Sequence, residues 1–497
     1  MAERTDADLS PVDPPPLDAA ISEPWSLGKL GRLLRSFGPA AVVASVSIGA
    51  GETIVVVRTG AWTGYGLLWL VLLAVLVKGI CVTYLLGRYT AVSGEAVGAR
   101  LARLPGPRGW LLIALVGLEL AAAAPLWAAI ARPSGELLGY LLFSSGPGLE
   151  TKSRLLATLF IAAALGLSLP TSYKSLERQQ IIICGILVLG TIIGTALVRP
   201  DMVAALGGFL SFGRFPEIPA AAPAELRQNP LPLLAVTFGY VGGSVMTYLV
   251  YAEFIALHGW GMTGHPQLEE IRRRAAAGSP GDYLPRDVAG IASVRRMLAP
   301  LRWDVGVGAA VLLAVTASFM MAGAAVLFPR QASGELGTAF EGWSLLTDQA
   351  SIWANIHPTL AWVYYVTVVA ALWGTLQAYP DIYARGTVEY ARAIWPQCQW
   401  RQRPVQIVIC LYVLVTATAV VWSDLDFDLL TLTVTFLATN LSVALAMLAA
   451  LYLDAQLPKA YRTQWWMRLA GYLSAIVLSI VAAVAGMSLW GKIAEVW

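Results

Sequence analysis

Apolar residues in this chain fall in long runs, separated by short stretches rich in Pro, Gly and charge. A helix that crosses a bilayer needs about 20 mostly apolar residues. Eleven runs meet that length or approach it: residues 38–60, 65–87, 109–131, 154–170, 179–198, 232–257, 304–328, 358–379, 405–422, 428–453 and 466–490. The separators carry the residues expected of loops. This pattern predicts an all-α membrane protein with about 11 transmembrane helices.

Composition agrees. Of 497 residues, 57% are hydrophobic and 13% charged, against about 25% charged in an ordinary soluble domain. So few charges cannot cover the surface of a soluble fold this large, so lipid is the expected solvent and main partner. The 18 Trp suit rings placed at the two bilayer interfaces. A net charge of +3 gives no case for nucleic acid. Cys81, Cys184, Cys398 and Cys410 lie far apart without metal-ligand spacing and read as inert thiols. His258, His265 and His357 likewise have no ligand spacing with one another, and no cofactor motif or catalytic set is present.

Residues 1–24 are rich in Pro, Asp and Ala and predict a disordered cytosolic tail without a signal peptide. Lys and Arg set orientation. With the N-terminus cytosolic, the inner loops collect Arg100, Arg103, Arg108, Lys174, Arg178, the run Arg272 to Arg274, Arg401, Arg403 and Lys459. An inner or plasma membrane is the expected location. The longest inner loop, about 258–303, is basic and reads as a solvated connector.

Two runs carry glycine clusters, Gly49-Ala50-Gly51 in the first and Gly242-Gly243-Ser244 in the sixth. Either cluster alone is ordinary close packing. As a pair, five helices apart, they sit at matching positions of two five-helix halves. Interrupted helices placed so are the best sequence pointer to a transporter binding site. The predicted function is therefore a secondary transporter working by alternating access, and not an enzyme.

The first helix also carries a resemblance. Gly38-Pro39, then Ser47-Ile48-Gly49-Ala50-Gly51-Glu52, then Gly60-Ala61-Trp62-Thr63-Gly64-Tyr65-Gly66-Leu67-Leu68-Trp69, resembles the start of the Nramp divalent metal transporters. Tyr173 to Glu177, Gly242 to Met246 and Asp304 add weaker likenesses. The resemblance implies a LeuT-type 5+5 inverted repeat with discontinuous helices 1 and 6 plus one extra helix. It divides the chain into a core at 25–457, with halves at about 38–198 and 232–453, and an extra C-terminal helix within 458–497.

Departures from the family pattern shape the expected site. Its metal-binding Asp and Asn fall on Gly49 and Glu52, its Pro on Ala50, its carbonyl on Gly243 and its Met on Met246, while Pro-His becomes Thr247-Tyr248. Of the family's acidic proton path, Glu119 alone has a counterpart, so proton coupling is in doubt. Gly49, Ala50, Gly51, Glu52, Gly243, Met246, Thr247 and Tyr248 are the substrate-binding candidates, with Glu52 and Met246 the candidate metal ligands. A carboxylate in mid-span costs a few kcal/mol or more unless it meets water, a partner or a ligand. Lys78 lies near mid-span of the second helix and needs a carboxylate, either Glu52 or Glu119. Two cargoes follow: a divalent cation held by Glu52 and Met246, or a small organic solute such as an amino acid or amine bound at the Gly49 to Gly51 break beside Tyr248. Asn440 and Gln377 read as helix-to-helix hydrogen-bonding residues.

Overall fold

Inside a bilayer the backbone must satisfy its own N–H and C=O groups, and each apolar run therefore folds as a helix. The computed structural model describes residues 11–17, 23–34, 37–143, 148–277, 281–334, 345–356 and 358–496. His357 and most of the expected tail lie outside them. Among the described residues ten helices have the length and apolarity to span a membrane, and a bent pair, Pro39–Ser47 with Gly51–Thr63, makes an eleventh.

Span 1 is that bent pair. Spans 2 to 5 are Leu68–Ser93, Trp110–Phe143, Leu149–Ser168 and Tyr173–Val198. Span 6 is Leu231–Leu257, and span 7 is built on Ala299–Ala322. Spans 8 to 11 are Pro358–Ile394, Gln402–Val421, Phe427–Gln456 and Trp465–Val496. Five spans is an odd number, so span 6 enters from the face opposite to span 1 and the second half is inverted. Burial follows the same plan: 94% of the apolar window of span 6 is covered by protein, against 17% for span 5 and 28% for span 11.

Some helices outrun their apolar patterns. Span 8 continues to Ile394, past the expected end at 379. Two of its charged residues there pair with each other: Asp381 meets Arg385 one turn on at 3.2 Å, and Gln402 donates to Asp381 at 2.6 Å. Span 3 extends to Phe143 through Pro125 and Pro133, with Arg132 buried and bonded to the Ser423 carbonyl.

The loop between spans 6 and 7 is more than a solvated connector. Ile271 and Ala275 of its helix Leu268–Ala277 are buried, and the Ala275 carbonyl accepts from Arg100 and Arg103. The segment 11–17 rests on the same loop: the Val12 amide donates to the Tyr283 carbonyl at 2.7 Å.

Candidate functional site

Span 1 leaves helical geometry at Ile48, where φ is −85° and ψ 89°. It resumes as a wide π-wound turn over Gly51–Val56 and bends by 47° across the break. Span 6 stops at Tyr240 and restarts at Val245. Gly242 sits there at φ +102°, where a side chain is strained, and a Cβ would collide with the Tyr248 hydroxyl and crowd Lys78 Cε. The two breaks touch: a Cβ on Gly51 would strike the Tyr240 carbonyl. Four helix ends thus converge partway along the two spans. Two present orphan carbonyls and two present orphan amides.

Buried charges and hydroxyls take up these ends. Glu52, fully buried, accepts the Gly49 amide on Oε2 at 3.0 Å, and its Oε1 lies 3.4 Å from the Thr316 hydroxyl of span 7. The Thr375 hydroxyl of span 8 is 3.2 and 3.3 Å from the carbonyls of Val46 and Ile48. Glu119, on span 3, accepts the Ser244 hydroxyl at 2.5 Å, just before the second half of span 6. Tyr248 folds back to accept the Gly243 amide at 2.8 Å.

Lys78 bonds neither carboxylate. Its Nζ donates to the carbonyls of Phe238 and Gly239, both at 2.8 Å, at the end of the helix Leu231–Tyr240. The sequence offered only carboxylates as partners because backbone carbonyls leave no mark in it.

The structure thus gathers Gly49, Ala50, Gly51, Glu52, Gly243, Thr247, Tyr248, Lys78 and Glu119 around the breaks, all buried. Met246 is buried there too, but its methyl end abuts Gly386 of span 8 while Glu52 turns toward Gly49 and Thr316. Among the described residues no three His, Cys, Asp or Glu side chains form a metal-ligating group. Asn440 lies in a π-wound segment of span 10 and donates to the Thr435 carbonyl at 2.8 Å, with both side chains packed on Gly239. Gln377 bonds Gln179 of span 5 at 2.7 Å.

Sequence reasoning saw Ser244 only as part of the glycine cluster and missed Thr316, Thr375, Tyr379 and Tyr383. The last two pack at 5.0 Å between ring centroids, Tyr379 beside the Ser244 hydroxyl and Tyr383 beside Glu119. Tyr379 and Tyr383 lie in the polar stretch that holds Gln377, Asp381 and Arg385, and nothing in the sequence set them apart.

The two faces of the membrane differ. On the face where span 1 begins, Asp304 accepts the amides of Gly38 and Ala40 and the Tyr251 hydroxyl, at 2.9 to 3.0 Å. Beside it His258 meets Glu177 at 2.9 Å, and Tyr173 stacks on Phe254 with Arg385 over both rings. Toward the other end of the bundle a small apolar pocket of about 50 Å³ lies between spans 1, 5, 7 and 8, lined in part by Val57, Phe319, Gln349 and Tyr364. Gln349 donates to the carbonyl of Thr53, the residue after Glu52.

Comparison with known proteins places this architecture. The family model described as natural resistance-associated macrophage protein-like (Nramp) matches residues 40–488. A crystal structure of the Eremococcus coleocola manganese transporter, in complex with an aromatic bis-isothiourea substituted compound, aligns with a TM-score of 0.61 at 16% identity, over 94% of this chain and 89% of that one. The E129A mutant of the same transporter aligns with a TM-score of 0.61 at 15% identity, over 97% and 90%. At such identity these likenesses establish the fold. No curated protein matches by sequence.

Proposed function

The chain belongs to the Nramp family, and from that premise we propose that it is a secondary transporter that moves a divalent cation by alternating access, with Glu52 as the charged ligand at mid-membrane. Nramp proteins are transporters, and the manganese named for the solved relatives makes Mn²⁺ the first cargo to test. One observation carries the assignment of Glu52. Its carboxylate is fully buried in a span yet held only by an amide and a long hydroxyl contact, with no cation bonded to it among the described residues. Such a group is costly unless a ligand shares the site. The organic-solute reading is weaker, because the Gly49 amide it would offer to a cargo carboxylate is already engaged by Glu52.

The same reading places the protein in an inner or plasma membrane with the N-terminus cytosolic, since Arg and Lys concentrate on the loops of that face. The Asp304 seal then lies on the cytosolic side and the apolar pocket toward the outer one. Rocking of the first half of span 1 and the second half of span 6 would release cargo inward. Span 11 stands outside the inverted repeat as the extra helix.

Uptake of Mn²⁺ into proteoliposomes tests the proposal. The wild type is expected to exceed empty vesicles, and Glu52→Ala to lose about tenfold or more, equal to at least about 1.4 kcal/mol of lost stabilisation. Mn²⁺ uptake undiminished in Glu52→Ala would exclude Glu52 from the ligand set.

A further inference from the structure

The carbonyl end of the break in span 6 is capped by a side chain, that of Lys78. We propose that the Lys78 ammonium is a resident, covalently tethered cation, occupying a backbone-carbonyl subsite at the end of Leu231–Tyr240 that would otherwise take a small free monovalent cation. The inference deepens the transport reading and relies on it only for the location of the site.

Three observations build this subsite. The first is its ligand set. The carbonyls of Phe238 and Gly239 belong to the last turn of a helix, where no amide of that helix remains to bond them and the helix dipole is negative. Lys78 Nζ lies 2.8 Å from both oxygens, with the Phe238 ring centroid 5.1 Å away. Carbonyl oxygens and an aromatic face are ligands for a cation.

The second is the shape of the surrounding chain. Gly242 has a φ of +102°, and a Cβ there would crowd Lys78 Cε and Cβ. Gly239, whose carbonyl is one of the two ligands, carries the side chains of Thr435 and Asn440 against its bare Cα. The break in span 6 is therefore moulded around the lysine side chain on one side and closed by span 10 on the other.

The third is isolation. Lys78 is 0% exposed and makes no ion pair with Glu52 or Glu119 among the described residues. A buried ammonium without a bonded carboxylate needs another source of negative potential, and the helix end supplies one. Lys78 itself sits in the π-wound turn Val75–Val82 of span 2, a kind of segment that recurs at functional sites.

A tethered cation cannot exchange, so the wild type should need no particular monovalent cation to hold its break together. Removing the side chain should restore that need. The test is the unfolding temperature of purified full-length protein in sodium, potassium, methylammonium or choline chloride at one ionic strength. The wild type is expected to be indifferent to the salt. Lys78→Ala should unfold at a lower temperature in choline and recover most of the loss, saturably, in methylammonium or sodium. Lys78→Gln, which keeps a donor without the charge, and Lys78→Met, which keeps the volume, should both stay below wild type in all four salts.

Wild-type stability in Lys78→Gln or Lys78→Met would overturn the proposal, because the carbonyls would then need no cation. So would a Lys78→Ala protein that responds to no small cation or equally to choline. If Lys78→Ala is recovered only when prepared in methylammonium, the proposal stands; failure to fold in that salt as well counts against it. These readings involve no transport, so they separate from the fate of Glu52 in the uptake assay.

Discussion

Glu52, Lys78, Glu119 and Asp304 obey one physical rule: each of these ionisable groups, buried within the spans, is bonded at or beside a helix end. Glu52 takes the Gly49 amide, Lys78 two carbonyls, Glu119 the Ser244 hydroxyl, and Asp304 the amides of Gly38 and Ala40. Orphan backbone groups at a helix terminus are strong dipoles in a medium with no water to compete. Met246 is held differently, by packing against Gly386. Replacement by Leu keeps the volume and removes the sulfur, a swap that costs under about 1.5 kcal/mol in a core. Met246→Leu is therefore expected to retain Mn²⁺ uptake within about threefold of wild type; a loss matching that of Glu52→Ala would place the sulfur in the ligand set beside Glu52. The charged half of the site was legible in the sequence because a charge within an apolar run is an anomaly. The hydroxyl and phenol partners, Thr316, Thr375, Tyr379 and Tyr383, were not. Such residues bond back to their own helix or pack without cost in any span, so their presence distinguishes nothing.

Among the elements, the two breaks were legible and the wide turns were not. Glycine clusters at matching positions of the halves announced the interruptions after Ser47 and Tyr240. Nothing in composition announced the π-wound segments Val75–Val82, Gly323–Leu327 and Thr435–Leu441, since one extra residue in a turn is set by tertiary packing rather than by propensity. Gly242 holds the break of span 6 at a φ of +102°. An L-residue in a sparsely populated backbone region costs about 1–3 kcal/mol, and at this position a methyl also meets the Tyr248 hydroxyl. Gly242→Ala should lower the unfolding temperature and depress Mn²⁺ uptake together. Gly207→Ala, at a helical position where a Cβ would meet nothing within 4 Å, is the matched control and should leave both unchanged or slightly raise stability. Equal behaviour of the two variants would show that the break tolerates a side chain and does not depend on its glycine.

At the scale of the whole molecule, the span count and the two-half plan were legible from hydropathy and from the first-helix motif, whereas the closed face was not, because it is built from pairs distant in sequence. Asp304 joins the start of span 7 to the start of span 1 across 266 residues, and His258 joins Glu177 across 81. A native reporter stands behind this seal: Cys184 of span 5 is buried and bonds the Ala41 carbonyl in the first half of span 1 at 3.5 Å. If that half-helix swings out to open the face, Cys184 must become accessible. Hydrogen bonds to a charged group are worth about 1.5–3 kcal/mol each, and about 1.4 kcal/mol shifts a two-state ratio tenfold. In a background with Cys81, Cys398 and Cys410 changed to Ser, Asp304→Asn should therefore speed modification of Cys184 by a small maleimide about tenfold or more. The unfolding temperature, measured in parallel, separates opening of the face from loss of the fold. An unchanged labelling rate in Asp304→Asn would mean that the first half of span 1 is not the moving part, and the alternating-access geometry would then have to be sought elsewhere in the bundle.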